Sequence, residues 1–554
     1  MYKRWLVLVL LILLPLQSLQ AQSRDYFNEI FNPQGQVYPY YQEAYTVWSE
    51  LSARKKAEFL KKSREAFRGD NALDAMPRII PEQEYDQVLK KGVEQRAQAI
   101  QAFLEDHYSG KKSYAQAKII PEAVITRLLQ RNHELSYSGK IPESQISFMY
   151  GPDIIKDQKG IWRVIEDNPG FIGGLGDLRL AQQFMTSQIP ELTNSFRYRK
   201  SESFYQNLTD RFKERAAAMG GKVVMYMTPP YADNEDSRIR AILKDYQIET
   251  VTPSSKKQLK VTNSGVYLYD KTDLSSAPEK VGFVFLNGEH AWLDPSYSAN
   301  LERLIIEEAQ SHLSEGDLDS RTRAQLEKEL AQEVLDITRI RQILSKSNYA
   351  SSIQATIAQT KGVRGLTQAI LEGKVDANYT PGVDFIGDKE FYLYVEKLVQ
   401  FYLHEKPVLR NIPTERFSEE PSLRLNSKLF DRVFSDLGGY VIKKVDGRGG
   451  DAVWVGPKIS ESEIPALKAR ILADPSEYIV QKYTPLSRLN NNIVDIRVIA
   501  DVAPKSVYVT DAPWGRGLPA DGNGKVNLSD QGREITVLVH QGSWRMCKNI
   551  YIGH

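Results

Sequence analysis

The sequence has almost no cysteine and no long apolar segment beyond its first residues. Cys547 is the single cysteine of the 554 residues, so an intrachain disulfide and a thiolate zinc cluster are excluded. No later apolar run reaches the roughly eighteen residues that a bilayer-crossing helix needs, so the body of the chain is expected to be soluble. Lys and Arg number 72 against 70 Asp and Glu, and this balance does not favour nucleic-acid binding.

Several catalytic patterns are absent as well. The seven histidines are scattered, and none forms a zinc motif with a second histidine and a nearby carboxylate. There is no GxSxG nucleophile elbow and no GxxxxGK[ST] phosphate loop. With 42% hydrophobic and 26% charged residues the chain is an ordinary globular protein, long enough for about three or four units.

The first residues have the three parts of a secretory signal. Lys3 and Arg4 precede an apolar run, Trp5 to Leu16, and Ala21 is a small residue at a plausible cleavage point. We therefore expect a signal peptide over residues 1–21 and an exported protein, periplasmic or secreted. The alternative is an uncleaved signal anchor, although twelve apolar residues are short for a membrane span.

Apolar periodicity divides the rest of the chain. Spacings of three and four predict a helical N-terminal region, and alternation before and after a turn at 157–160 predicts a β-hairpin. Short buried strands alternating with a helix follow from Lys222, and a long charged helical stretch occupies 297–350. The predicted elements are helices Tyr45–Phe67, Gln83–Tyr108, Pro121–Asn132, Ser237–Lys244 and Lys389–Leu403, and strands Ser147–Ile155, Ile161–Ile165, Val223–Met227, Tyr246–Val251 and Val281–Leu286.

A glycine-rich turn between two predicted strands is the strongest local motif. It runs from Tyr440 to Val455 and contains Gly447, Gly449 and Gly450. Glycines let backbone N–H groups approach phosphates closely, and Lys443 on the preceding strand could reach phosphate oxygens. The same pattern also suits a tight hairpin that uses glycine only for its turn.

Carboxylate and amide side chains mark the ends of the earlier hairpin. Asp153 lies on its first strand, and Glu166 and Asn168 lie at the end of its second. Oxygen ligands of this type suit Mg²⁺, which commonly bridges to nucleotide phosphates. The alternative is simple turn chemistry, in which Asn168 and the following proline only end a strand.

Taken together, these two motifs resemble the ATP-grasp family. The metal-type strands precede the glycine-rich loop here, an order that is similar to the circularly permuted ATP-grasp proteins of type 2. Ordered blocks that carry the resemblance are Met76–Pro81, Ile154–Asn168, Val224–Pro230, Gly382–Thr414 and Tyr440–Tyr483. The resemblance implies an α/β fold of mixed α+β type: a permuted ATP-grasp with a Rossmann-like pre-ATP-grasp unit and helical N-terminal and inserted segments.

The resemblance also implies roles for individual residues. Residues expected to bind ATP are Lys389, Lys443, Gly447, Gly449, Gly450, and the adenine hinge Gln481, Lys482 and Tyr483. Arg497, in an Asp-x-Arg strand, and Arg516 would face the transferred phosphoryl group. Asp153, Glu166 and Asn168 would carry Mg²⁺. Lys482 departs from the pattern, since a glutamate is expected in the hinge.

The implied boundaries follow these motifs. They are 1–21 signal peptide, 22–150 helical N-terminal region, 151–215 metal-binding strands, 216–296 pre-ATP-grasp-like α/β unit, 297–370 helical insertion and 371–554 nucleotide-binding lobe. The implied reaction joins a small-molecule or peptide carboxylate to an amine, using ATP and Mg²⁺. Two alternatives remain open: an exported, inactive nucleotide- or peptide-binding protein, and phosphoryl transfer without ligation.

Overall fold

The computed structural model describes most of the chain. The described residues are 25–67, 72–132, 139–170, 172–227, 234–273, 275–287, 319–331, 362–446, 452–528 and 531–542, with isolated positions 294, 306, 309, 310, 313, 340 and 343. The predicted signal peptide and the three glycines of the predicted phosphate loop lie outside these residues. Across the part that is described, no helix has both the length and the apolar character needed to cross a bilayer.

Helices and strands are intermixed along the chain. The helices are α1 (Gln42–Glu50), α2 (Ala53–Phe67), α3 (Glu82–Glu84), α4 (Lys91–Ser109), α5 (Ser113–Gln116), α6 (Glu122–Arg131), α7 (Asp177–Gln188), α8 (Pro190–Thr193), α9 (Glu202–Ala218), α10 (Asn234–Asp245), α11 (Ser320–Leu330), α12 (Leu366–Leu371), α13 (Val395–Leu403), α14 (Ser427–Ser435) and α15 (Ile464–Ala473). The strands are β1 (Arg78–Pro81), β2 (Phe148–Tyr150), β3 (Asp153–Lys156), β4 (Trp162–Glu166), β5 (Lys222–Met227), β6 (Glu249–Val251), β7 (Lys257–Thr262), β8 (Gly265–Asp270), β9 (Glu279–Asn287), β10 (Asp376–Ala377), β11 (Arg410–Asn411), β12 (Thr414–Arg416), β13 (Ser418–Glu419), β14 (Arg424–Leu425), β15 (Tyr440–Lys444), β16 (Val453–Val455), β17 (Tyr478–Lys482), β18 (Arg488–Leu489), β19 (Asn492–Arg497), β20 (Ala500–Ala503), β21 (Ser506–Val509), β22 (Trp514–Pro519), β23 (Arg533–Ile535) and β24 (Val537–His540).

The central sheet joins strands from both ends of the chain. Its order is β11-β4-β3-β19-β22-β23, with β18 beside β19. The hairpin β3–β4 therefore pairs directly with β19, more than three hundred residues later, and Asp153 is the cross-strand partner of Arg497. A register irregularity follows Asp153 where β3 meets β4. Bulges of this kind re-aim side chains and are frequent beside active sites.

A second, antiparallel sheet forms a lobe of its own. Its order is β12-β17-β15-β16. Alternate residues of β15 point to opposite faces: Ile442 is buried in a cluster with Leu467 and Ile471 of α15, whereas Val441 and Lys443 line a cavity on the other face. The lobe is therefore a two-layer unit whose open face is available for a ligand.

The small α/β unit has the expected parallel centre. Strands β6, β5 and β9 are parallel, and β8 and β7 extend the sheet as an antiparallel hairpin that the periodicity did not predict. The strand predicted over Tyr246–Val251 is shorter, because α10 continues to Asp245 and Gln247 adopts a left-handed backbone conformation in the turn that follows. Only Glu249–Val251 is extended.

Several predicted boundaries need correction. The single helix predicted over Tyr45–Phe67 is two helices, because the Ser52 hydroxyl accepts a hydrogen bond from the Lys55 backbone N–H and starts α2 anew. The helix predicted from Lys389 begins as α13 at Val395, after a short 3₁₀ turn. Much of 151–215, expected as strands, is helical in α7, α8 and α9. Much of the stretch 297–350 lies outside the described residues.

Candidate active site

A cavity of about 650 Å³ lies between the lobe sheet and the central sheet. Residues from both halves of the sequence line it, and nine of the predicted site residues are among them. These nine are Asp153, Glu166, Asn168, Lys443, Gln481, Lys482, Tyr483, Arg497 and Arg516. The structure thus brings together the predicted metal ligands and the predicted nucleotide residues, although almost three hundred positions separate them in sequence.

One backbone carbonyl joins the two sides of the cavity. Lys443 Nζ and Gln481 Nε2 each donate a hydrogen bond of 3.2 Å to the Ile165 oxygen. Ile165 immediately precedes Glu166, so the nucleotide lobe is held against the end of β4 at the predicted metal ligand. The two hydrogen bonds leave Lys443 at the cavity wall, within reach of a bound anion.

Burial dominates the electrostatics of Lys443. Loss of solvent lowers the pKa of Lys443 and the nearby Lys389 adds to the decrease, the Glu166 and Asp153 carboxylates act in the opposite direction, and the resulting pKa is about 8. A buried ammonium group with little compensation is favourable for an anionic ligand, because a phosphate would replace the lost hydration.

Among the predicted nucleotide residues that the structure describes, Lys389 alone is not part of the cavity lining, but it contacts a residue that is. Its ammonium group forms an ion pair of 2.9 Å with Glu166, and its backbone N–H donates to the Val445 carbonyl. It therefore lies between the central sheet and strand β15. Its flanking residues, Asp388 and Glu390, are both bound by Arg131 of helix α6.

The central sheet presents carboxylates and arginines on neighbouring strands to the cavity. Across neighbouring strands Glu166 is opposite Asp153, and Asp153 is opposite Arg497. Two residues before Arg497 on β19, Asp495 is opposite Arg516 of β22. Residues two apart on a strand share a face, so these groups form one polar surface.

Asp153 is the hub of this surface. It accepts ion pairs of 2.8 Å from Arg497 and 2.9 Å from Arg516, and Arg516 also pairs at 2.6 Å with Asp495. Burial acts to raise the pKa of Asp153, but the two guanidinium groups outweigh it and lower that pKa, so the carboxylate stays ionised. Burial raises the pKa of Asp495 to about 6.

The predicted metal ligands fit Mg²⁺ in donor type. Asp153 and Glu166 supply carboxylate oxygens on adjacent strands, and Asn168 is oriented by a hydrogen bond from its amide nitrogen to the Gly151 carbonyl. No group of three or more His, Cys, Asp or Glu residues in the described ranges is arranged to hold a metal, so an amide or phosphate oxygen would have to complete the set. Arginines pair with Asp153 and a lysine pairs with Glu166, so positive side chains compensate the negative charge that a bound divalent ion would compensate.

The hinge differs in detail from the expectation. Gln481, Lys482 and Tyr483 line the cavity, but the backbone N–H of Lys482 donates to the Pro413 carbonyl and that of Tyr483 to the Gly439 carbonyl. These two donors are already engaged in the sheet and turn. An adenine in this position would have to be read by carbonyl oxygens and side chains.

Trp514 and Glu534 line the cavity but were not identified as site residues from the sequence. Trp514 lies above both arginines, with ring centres 5.6 Å from Arg497 and 5.2 Å from Arg516. Its indole N–H donates to Glu534 at 2.6 Å. The sequence offers only a weak sign of these residues: Trp514 is two positions before Arg516 and so shares its face of a strand. The alternating Ile535, Val537 and Val539 indicate a strand after Glu534 but not that Glu534 is buried.

This geometry defines a class of protein: a two-layer lobe placed over a polar sheet, with lysines on one side and carboxylates and arginines on the other. Comparison of the sequence with known protein families leads to the same class. The model of the family "Circularly permuted ATP-grasp type 2" matches residues 77–304 and 341–512, and the chain belongs to that family. The family prediction and the mixed α/β fold class are therefore confirmed.

Relatives in known proteomes are distant but extensive. An uncharacterized protein of Mycobacterium tuberculosis (strain ATCC 25618 / H37Rv) is 24% identical over 91% of this chain and 82% of its own length. A protein of Frankia alni named "Putative glutamate--cysteine ligase 2-3" is 24% identical over 88% of this chain and 51% of its own length. Among solved structures, a glutathione synthetase like-effector from Globodera pallida in its apo form is similar with a TM-score of 0.47 and 12% sequence identity. The match covers 88% of this chain and 98% of the effector chain.

Proposed function

We propose that the protein is an ATP- and Mg²⁺-dependent ligase that joins a carboxylate to an amine through an acyl phosphate. The observation that carries the proposal is the convergence of Lys443, Arg497 and Glu166 on one cavity. Family membership supports a ligase, and so does the name of the Frankia relative. Substrates, metal use and the individual residue roles are part of the proposal.

Each group in the cavity has a task that follows from its charge. Lys443 and Lys389 would bind the nucleotide phosphates as point charges, and Arg497 and Arg516 would hold the planar oxygens of the transferred phosphoryl group. Asp153, Glu166 and Asn168 would hold Mg²⁺, which when bound compensates charge on the phosphates. Leu486 and Trp514 line the same cavity and would limit access of water to the reacting groups.

A catalytically inactive binding protein is the second candidate, and one observation favours it. Asp153 already has two arginine partners and Glu166 has a lysine partner, so the carboxylates are compensated without a metal. A protein of this kind would bind nucleotide or peptide and release no ADP. Both candidates are compatible with export, which we propose on the sequence of residues 1–21 alone.

Paired measurements separate the two candidates. We expect the parent to release ADP from ATP and Mg²⁺ when a suitable acid and amine are added, with L-glutamate and L-cysteine as first probes. Glu166→Gln keeps the side-chain shape and removes one charged ligand, so calorimetric ATP binding should persist while ADP release falls by about 10²-fold or more. Lys443→Ala should weaken ATP binding itself, because the lysine contacts phosphate before the reaction.

The outcomes are distinct. ATP binding by the parent without ADP release for any acid–amine pair would favour the binding protein. Two variants that bind and turn over like the parent would show that the assigned site is wrong. Lys428→Ala is a suitable control, because that lysine is on helix α14 of the same lobe and does not line the cavity.

A further inference from the structure

The cavity continues beyond the two arginines to a region that neither nucleotide nor metal accounts for. Its wall there includes Asp177, Glu235, Arg238, Trp514 and Glu534. These residues come from α7, α10, β22 and β23, none of which belongs to the nucleotide lobe. A ligase needs room next to the reacting carboxylate for its second substrate, and these residues lie beside the arginines that would face the transferred phosphoryl group.

Glu534 is the buried group that faces this end of the cavity. It is opposite Arg516 in the β22–β23 ladder and is only 2% exposed. Its Oε2 accepts the 2.6 Å hydrogen bond from Trp514 Nε1. An indole is neutral, so this bond orients the carboxylate without compensating its charge. A buried carboxylate in this state either holds a proton or attracts a cation.

The two arginines near Glu534 each form ion pairs with other carboxylates. Arg238 of α10 forms an ion pair with Asp177, and Arg516 forms ion pairs with Asp153 and Asp495. Glu235, also on α10, adds a negative charge nearby. Burial raises the pKa of Glu534, the Trp514 hydrogen bond, Arg238 and Arg516 oppose the rise, Glu235 adds to it, and the resulting pKa is about 8.

We infer that Glu534 receives the amine substrate, binding its ammonium group and taking the proton that the nitrogen must lose before it attacks. The inference rests on the proposed ligase function and names the class of the second substrate: a primary amine that is protonated in water. The position of Glu534 supports this inference. Glu534 is opposite Arg516 in the sheet, and Arg516 forms an ion pair with Asp153, so the base lies next to the groups proposed for phosphoryl transfer.

The proton and bond balance is simple. The ammonium group gives one proton to the Glu534 carboxylate and becomes a free amine. The nitrogen then attacks the acyl-phosphate carbonyl carbon, a C–N bond forms, and the C–O bond to phosphate breaks with its electron pair leaving on phosphate. The second proton of the nitrogen goes to the departing phosphate, and Glu534 later returns its own proton to solvent.

Hydroxylamine provides a test that separates this role from general damage. It is largely unprotonated near neutral pH, so it attacks acyl phosphates without help from a base and gives a hydroxamate. We expect Glu534→Gln to lose about 10²- to 10⁴-fold in kcat/KM for a primary amine such as L-cysteine or glycine, with L-glutamate as the acid. Its hydroxamate formation from L-glutamate, ATP and hydroxylamine should stay close to that of the parent.

Each other outcome contradicts a definite statement. Equal loss with both nucleophiles, or no loss with either, overturns the role of Glu534 and leaves the ligase proposal intact. A parent that gives neither ADP nor hydroxamate with any acid tested overturns the proposed function, and the inference with it. Glu84→Gln is a control for the loss of a buried carboxylate that accepts an indole hydrogen bond, here from Trp162 at 2.5 Å; Glu84 does not line the cavity, and it differs from Glu534 in having an ion pair with Lys156.

A second variant keeps the test valid if Glu534→Gln does not fold. Trp514→Phe removes the hydrogen bond that stabilises the ionised carboxylate, which raises the pKa of Glu534. The acid limb of the pH–rate profile for L-cysteine or glycine should then move to higher pH, because the base form appears later. The hydroxylamine profile should not move. Two profiles that shift together, or no shift, would exclude Glu534 as the base.

Discussion

Lys443 carries its positive charge in a buried position, only 7% exposed, beside a second ammonium group. The nearby carboxylates offset part of the free-energy cost of removing the Lys443 ammonium group from water, and a bound phosphate would offset the rest. The same reasoning applies to Arg497 and Arg516, which are buried but paired with Asp153 and Asp495. The positively charged groups of the site are thus preorganised for an anionic ligand.

The pH dependence of nucleotide binding should report the state of Lys443. Because burial lowers the pKa of Lys443 to about 8, the free protein loses the ammonium charge as pH rises through this value. Binding of ATP without metal should therefore weaken above pH 8, by up to about tenfold per pH unit, and should be accompanied by proton uptake. Titration calorimetry in a chelator, in buffers of different ionisation enthalpy, measures both.

Lys443→Arg is the control for this prediction. A guanidinium group stays charged throughout the range, so the slope of affinity against pH should flatten even if the affinity itself changes. Parallel slopes for parent and variant would mean that another group titrates.

Residue pairs of the site could be foreseen from the sequence only in part. Glu166 and Asn168 are recognisable because they are two apart at the end of a predicted strand, and Lys443 because it precedes a glycine-rich turn. The contact of Asp153 with Arg497 is not recognisable in this way, since it depends on the pairing of β3 with β19 across 344 positions. Glu534 was missed because nothing local distinguishes a buried site glutamate from a solvated one.

At the scale of elements, helix α6 reaches from the N-terminal region into the site. Arg131 donates to both Asp388 and Glu390, and Arg127 donates to Glu390 and Glu420. These bonds fix the segment on either side of Lys389. The helix therefore positions a residue that contacts Glu166, although α6 itself supplies no group to the nucleotide phosphates.

Removal of this arginine should affect stability and nucleotide binding together. Arg131→Met leaves the buried Asp388 carboxylate without its arginine partner, whereas Glu390 keeps Arg127 and Arg416, and should cost about 3–5 kcal/mol in the free energy of unfolding. Since Lys389 would lose its support, the KM for ATP should rise more than kcat falls. Denaturant unfolding and steady-state kinetics test the two parts.

An exposed pair of the same type provides the comparison. Arg432 pairs with Glu415 on the surface of the lobe, where both side chains are more than half exposed. Arg432→Met should leave the free energy of unfolding and the KM for ATP almost unchanged, because an exposed ion pair contributes little. Equal effects of the two substitutions would contradict a positioning role for Arg131.

Helix and strand predictions succeeded where one face of an element is buried and failed where tertiary contacts set the ends. The hairpin at 157–160 and strands β5 and β9 follow from alternation and buried apolar runs. Helices α7 and α9 were overlooked although Phe204, Leu208 and Phe212 repeat at four-residue spacing and are buried. The break between α1 and α2 depends on a single cap at Ser52, which periodicity does not register.

At the scale of the whole molecule, the two ends of the chain are structurally interdependent. β1 pairs in parallel with β24, and Arg78 is fully buried, paired with Glu29 and hydrogen-bonded to Ser487. Together with the β3–β19 pairing, this means that the site is complete only when early and late segments fold together. The family resemblance predicted this arrangement through motif order, whereas periodicity alone gave no information about it.

The N-terminal sequence leads to a separate prediction about location. If residues 1–21 act as a signal, expression in a bacterial host should yield mature protein in the periplasmic or extracellular fraction, beginning just after Ala21. Replacement of Lys3 and Arg4 by glutamate should retain the protein in the cytoplasm. N-terminal sequencing of each fraction checks both, and cytoplasmic parent protein that begins at Met1 would contradict the prediction.

A crystal structure with a non-hydrolysable ATP analogue and Mg²⁺ tests the central claim most directly. We expect phosphates between Lys443 and Arg497, the metal on Asp153 and Glu166, and the adenine beside Gln481 to Tyr483. We also expect Lys389 to release Glu166 when the metal binds. A nucleotide bound outside this cavity, or bound in it with no metal at Asp153 and Glu166, would contradict the account.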